Sequence, residues 1–137
     1  LKSKGYFIIA ITGSPEEIAH EFTKRYGFDY VKSTHMMSEN GKYIGKDMPA
    51  DGDKEAELQK IIAANNLSYS GSFAVGDTAN DASMLKLVEN PIAFNPDKKL
   101  FKIADENGWQ IVVERKNMFY KLSKGTDGYF LAETRIF

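Results

Sequence analysis

An α/β fold built around a mostly parallel sheet is predicted by three features of the sequence. Apolar runs of strand length alternate with segments whose apolar residues recur at helical spacing. Turn and cap residues sit at the joins between them, and there is no internal repeat or low-complexity tract. Strands separated by helices imply parallel neighbours joined by crossovers, and so a sheet covered by helices on both faces. In sheets of this kind ligands bind at the carboxyl ends of the strands.

The first strand is read at residues 7–11, followed by a helix carrying Ile18, Ala19, Phe22 and Tyr26 at helical spacing and closed by Gly27 as its C-cap. A second strand follows at 28–31. Over 33–46 the residues turn polar and aromatic around Glu39-Asn40-Gly41-Lys42, and Asn-Gly is the strongest short hairpin signal, so a small flap is expected there. Beyond a loop at 47–53, Leu58, Ile61 and Ile62 mark a second helix, 73–75 a buried strand, and Met84, Leu85 and Val88 a third helix. The unit recurs as a strand at 92–94, a helix with Leu100, Ile103 and Ala104, and a strand at 110–113. The aromatic tail, 116–137, shows no clear period and either packs on the core or forms a hairpin near Gly125 and Gly128. Length favours one domain, with a core at 1–115 and the tail packed on it.

Composition removes several classes of function. Eighteen basic against nineteen acidic residues give a formal net charge of -1, which offers no broad cationic face for nucleic acid. The absence of cysteine excludes disulfides, thiolate-held metals and thiol nucleophiles, and leaves open a hard metal held by oxygen. No apolar run reaches the ~20 residues a membrane span requires, and no signal-type amino terminus is present, so no membrane association is expected and the default location is the cytoplasm. The chain starts at Leu1 and enters an apolar run almost at once, as a sequence joined midway would.

Three places could hold chemistry. Thr12-Gly13-Ser14-Pro15 lies between a strand and a helix, where free N–H groups and the helix dipole favour an anion. Capping explains much of it, with Ser14 as N-cap, Pro15 at the first helical position and Glu17 completing a capping box, but does not explain Thr12. Lys54 opens a helix, where a cation opposes the dipole by about 0.3 to 1 kcal/mol unless an anion comes near; the alternative is an ordinary surface lysine. Gly76-Asp77-Thr78-Ala79-Asn80-Asp81 places two carboxylates and a carboxamide in one first helical turn, a donor set suited to Mg²⁺, although acids in a first turn also serve as caps. All three fall on the same expected edge of one sheet, and hydroxyl, amine and carboxylates together suit a phosphoryl group and its metal. His20 and His35 are read as surface or packing residues, with no second histidine on a shared helical face.

Taken in order, Thr12-Gly13-Ser14-Pro15, Lys54 and Gly76-Asp77-x-x-Asn80-Asp81 resemble the second, third and fourth motifs of haloacid dehalogenase (HAD) superfamily phosphatases, above all the phosphoserine-phosphatase-like branch. Asp81-Ala82-Ser83-Met84-Leu85, Ala93-Phe94-Asn95-Pro96-Asp97 and Asn107-Gly108-Trp109 follow the same order in that branch, and the resemblance covers about residues 5–115. It implies a HAD-like, Rossmannoid three-layer core and a Mg²⁺-dependent phosphomonoester hydrolase that acts on a small phosphorylated metabolite through an aspartyl-phosphate. Thr12 and the Gly13 amide would hold phosphoryl oxygens, and Lys54 would neutralise phosphate and nucleophile. Asp77 would ligate Mg²⁺, Asp81 would support the metal site from behind or through water, and Asn80 would orient the phosphate or Lys54. These roles match phosphoryl transfer, in which positioning and charge neutralisation dominate.

The family opens, however, with an apolar strand and Asp-x-Asp, whose first aspartate is the nucleophile and whose second is the general acid/base. Asp51-Gly52-Asp53 has that spacing but follows a polar loop and runs into Lys54. The helical cap of the branch is missing, and the interval from Thr12 to Lys54 is too short for the large cap of sugar-phosphatase relatives, which leaves only the 33–46 flap. In this fold the absent first strand lies between the strands ending at Thr12 and Val75. A missing N-terminal segment or a second chain is therefore expected to complete the sheet, since unpaired ladder groups there are costly. The chain alone is expected to be inactive. The alternative reading is a non-catalytic phosphate- or metal-binding module, or a regulatory protein, on the same scaffold.

Overall fold

A computed structural model describes residues 1–47, 53–115 and 118–136, arranged in two compact units, Leu1–Lys54 and Glu55–Phe137. Most of the 47–53 loop, with Asp51 and Gly52, lies outside the described residues, as do residues 116 and 117 and Phe137.

In the first unit, a short 3-10 turn at Lys2–Lys4 precedes strand β1 (Ile9–Pro15), helix α1 (Glu16–Tyr26), and strands β2 (Tyr30–Glu39) and β3 (Lys42–Asp47). The entry to β1 is tied down by Asp29, whose carboxylate accepts the Ile8 N–H at 2.7 Å and the Lys2 ammonium. Glu16 and Glu17 at the start of α1 and Lys24 and Arg25 at its end complement the helix dipole. Gly27, at φ 68°, ends it in the left-handed conformation that glycine adopts without steric penalty. β1 and β2 run parallel across α1, which packs on both. The flap expected at 33–46 is the antiparallel pair β2–β3. Asn40 and Gly41, at φ 51° and 72°, make the turn, since a two-residue hairpin turn of this hand needs positive φ at both positions.

The second unit holds α2 (Lys54–Ala64), β4 (Phe73–Gly76), a 3-10 turn at Ala79–Asp81, α3 (Ala82–Leu85), β5 (Asn90–Phe94), α4 (Lys98–Asn107), β6 (Gln110–Arg115), β7 (Met118–Gly125) and β8 (Gly128–Ile136). Its sheet runs β4-β5-β6-β7-β8, parallel through β6 and antiparallel beyond. The core forms where α3 and α4 lie on this sheet, from Ala82, Leu85, Ala93, Leu100, Ala104 and Ile111. The tail is a hairpin that continues the sheet, and Tyr129 joins it to α4 twice. Its ring meets Phe101 edge-on at 5.2 Å, and its hydroxyl donates to Asp105 Oδ1 at 2.7 Å.

The α/β class stands, and the antiparallel pairs come from the flap and the tail. Two expectations need correction. The third helix, read through Val88, ends at Leu85 after four residues, because the chain enters it from a 3-10 turn and must reverse before β5 begins at Asn90. The strand at 73–75 is not buried: Phe73 is 54% and Val75 57% exposed, and β4 lies at the end of its sheet's order. β1 likewise ends the order of its own sheet, and among the described residues the two strands belong to different ladders.

Candidate active site

The Thr12–Ser14 segment is set off by a slip in register. Ile11 pairs with Lys32 and Pro15 with Thr34, so β1 spends four steps where β2 spends two, and the surplus arches away from the ladder. Within the arch, Thr12 Oγ1 accepts the Ser14 N–H at 3.1 Å and donates to Ser14 Oγ at 3.1 Å, while Gly13 is exposed. Ser14 is thereby turned back onto Thr12 and does not cap α1. The cap residue is Pro15, at φ -54° and ψ 146°, the helix starts at Glu16, and no side chain caps it. The capping account of this motif, including Pro15 as the first helical residue, is corrected accordingly. What remains is an exposed glycine backbone ahead of a helix start whose N–H groups have no side-chain cap, an arrangement receptive to an anion.

Thr34, opposite Pro15, was not singled out in the sequence. It is 2% exposed and its hydroxyl has no hydrogen-bond partner among the described residues. Nothing in the sequence marks it, since threonine is ordinary in a strand. His20 and His35 are exposed, yet both reach one carboxylate: His20 Nε2 lies 3.4 Å from Glu16 Oε1 and His35 Nδ1 3.0 Å from Glu16 Oε2. The His35 hydrogen bond, followed by the charges of the two rings, holds the Glu16 carboxyl below its ordinary value. Lys54 is the first residue of α2 and is partly buried.

The β4–α3 turn is built around Asp81, only 4% exposed. Its Oδ2 accepts the Asp77 N–H at 3.1 Å, the Thr78 N–H at 3.0 Å and the Thr78 hydroxyl at 3.2 Å. Room for it exists because residue 76 is glycine: a Cβ there would stand 2.4 Å from Asp81 Cβ and 2.9 Å from Oδ2. Asp77 and Asn80 are exposed, and among the described residues neither side chain makes a hydrogen bond or ion pair. Asp77, Asn80 and Asp81 thus share one turn, Asp81 folded inward and the other two uncommitted. Thr12, Gly13 and Ser14 share another turn, in the other unit.

Asp97 was missed as more than part of a motif. It caps α4 by accepting the Leu100 N–H at 2.7 Å, and its other oxygen accepts the Ala79 N–H at 3.3 Å. These bonds, the Leu100 one foremost, hold its carboxyl below the ordinary value against the opposing effect of burial. Its place before a helix marks it as a cap in the sequence, but the reach to Ala79 has no local signal.

As a hard-oxygen site the β4–α3 turn fits Mg²⁺ in chemistry: Asp77 offers a free carboxylate, and Asp81 Oδ2 is already committed to holding the turn. It does not suffice in number, since among the described residues no group of three or more His, Asp or Glu side chains is arranged to hold a metal ion. A cleft of about 430 Å³ lined by Phe73, Asn90, Asn107, Trp109 and Gln110 lies at the amino ends of the strands, the wrong edge for this chemistry. No helix among the described residues is long and apolar enough to cross a membrane.

Known proteins with this pattern are consistent with each other. The sequence model for haloacid dehalogenase-like hydrolases matches residues 1–86. The phosphoserine phosphatase of Streptococcus thermophilus is 34% identical over 97 residues, covering 69% of this chain and 45% of that protein. The phosphoserine phosphatase of Methanocaldococcus jannaschii is 27% identical over 121 residues, covering 86% of this chain and 55% of that one. Among solved structures, a phospho-aspartyl intermediate analogue of phosphoserine phosphatase superposes with a TM-score of 0.72 at 27% identity, over 85% of this chain and 55% of its own. The chain spans about half the length of these two phosphoserine phosphatases.

Proposed function

This chain belongs to the haloacid dehalogenase-like hydrolases, in their phosphoserine-phosphatase-like branch, and we propose that it forms part of a Mg²⁺-dependent phosphomonoesterase working through an aspartyl-phosphate. The observation that carries this reading is the β4–α3 turn, where a buried Asp81 holds the backbone of Asp77 while the Asp77 carboxylate stays exposed and uncommitted. In the proposed reaction an aspartate attacks phosphorus, the alcohol departs with a proton, and water then releases inorganic phosphate and restores the carboxylate.

Each residue has a task in that scheme. The Gly13 amide binds a phosphoryl oxygen at the exposed arch before α1, and the Thr12 hydroxyl binds another by turning its proton from Ser14 Oγ to the phosphate. Lys54 neutralises the phosphate and the attacking carboxylate. Asp77 would hold Mg²⁺, Asp81 keeps Asp77 in place, and Asn80 orients the phosphate or Lys54. When bound, the ion would spread the negative charge of the phosphoryl oxygens. The nucleophile, and the ligands that complete the metal site, come from a segment outside this chain or from a second chain, which also pairs the open edges of the two sheets. β1 and β4 each end the strand order of their sheet, which supports that arrangement. The substrate is a small phosphorylated metabolite.

The test is Mg²⁺-dependent release of inorganic phosphate from phosphomonoesters by the natural full-length protein. Asp77→Asn should abolish it, and this chain by itself should be inactive. Full activity in Asp77→Asn would rule the scheme out.

A further inference from the structure

The backbone of Asp77 is held on both sides. Its N–H donates to Asp81 Oδ2 at 3.1 Å, and its carbonyl accepts the N–H of Asp97, from the loop before α4, at 2.8 Å. Asp97 closes the pair of contacts, because its Oδ2 accepts the Ala79 N–H at 3.3 Å while Oδ1 accepts the Leu100 N–H at 2.7 Å. Capping α4 needs only one of those oxygens. The second oxygen and the backbone N–H both go to the turn that carries Asp77 and Asn80. The support behind them is firm: Leu100 and Ala104 of α4 are fully buried in the core of this unit.

We infer that Asp97 is a positioning residue for the proposed metal site, fixing the 77–79 backbone so that the Asp77 carboxylate is presented in one geometry. The inference rests on the reading of Asp77 as a metal ligand. Partners of this outer kind typically change metal affinity about 10- to 100-fold when removed.

Asp97→Asn separates the two jobs of the side chain, since asparagine is as good an N-cap but cannot accept from Ala79 with its amide nitrogen. Three measurements on the full-length protein decide it: thermal unfolding, hydrogen exchange at the Ala79 amide, and Mg²⁺ titration by calorimetry without substrate. The melting temperature should move by no more than about 2 °C because the cap survives. Exchange at Ala79 should accelerate at least about tenfold, and the Mg²⁺ dissociation constant should rise about tenfold or more. Asp97→Ser, which also keeps a capping oxygen, should behave alike. Unchanged Mg²⁺ affinity in both variants, with binding lost in Asp77→Asn, overturns the positioning role alone. Mg²⁺ binding that survives Asp77→Asn overturns the metal reading itself, and the positioning role with it.

Discussion

Replacing Gly76 by alanine tests how the candidate site is built. The new Cβ would stand 2.4 Å from Asp81 Cβ, 2.8 Å from Cγ and 2.9 Å from Oδ2, all well inside contact distance. Rotation of the Asp81 side chain cannot relieve the nearest of these, because Cβ moves only with the backbone. The 3-10 turn must therefore shift, stretching the bonds from Oδ2 to the Asp77 and Thr78 N–H groups. Overpacking of this kind costs about 1–3 kcal/mol, and weakening the buried hydrogen bonds adds a further ~1 kcal/mol, for about 2–4 kcal/mol in all. Urea unfolding followed through Trp109, the only tryptophan, which packs against the same core, would measure it. At about 3 °C per kcal/mol for a chain of this length, the melting temperature should fall by roughly 6–12 °C. Combining Gly76→Ala with Asp81→Gly removes the clashing Cβ, so the pair should be less destabilising than the sum of the singles by about 1 kcal/mol or more. A Gly76→Ala protein within about 0.5 kcal/mol of wild type, or strict additivity in the double variant, would refute the argument.

Other outcomes follow from the same contacts. Asp105 receives Lys124 and Tyr129; the Lys124 bond, then the Tyr129 bond, hold its carboxyl below 3.8, so its contribution to stability is complete above that pH and fades as pH falls through the lowered value. Tyr129, pushed up to about 12 chiefly by burial and then by its bond to Asp105, contributes fully below 10.0 and loses that contribution as pH rises through about 12. Asp105→Asn should therefore lower stability at neutral pH and flatten both limbs of a plot of unfolding midpoint against pH; an unchanged acid limb counts against the assignment. Leu100→Ala, at a fully buried site between α4 and the sheet, should cost about 2–5 kcal/mol in denaturant unfolding. Asp77→Asn should leave stability within about 0.5 kcal/mol, because its carboxylate is exposed and makes no bond among the described residues; a large loss would mean that the side chain holds the fold.

Local chemistry made much of this protein legible before any coordinates. The Asn40-Gly41 turn, the Gly27 cap and the alternation of strand-length runs with helical patterns depend on a few neighbouring residues, and the structure carries them where they were read. The candidate motifs fell on strand ends and helix starts for the same reason. Tertiary structure decided the rest. Ser14 was a capping residue by pattern, yet the arch in β1 turns it onto Thr12 and leaves Pro15 at the cap. Three helical apolar positions in 84–88 did not make a long helix, because the chain had to return to β5. Glu16 meets His20 one turn along its own helix, but it reaches His35, and Asp97 reaches Ala79, only after segments far apart in the sequence have packed. Propensity and capping act over about one helical turn, whereas these contacts are set by which loops the sheet brings side by side, and a residue's neighbours in sequence carry no record of that.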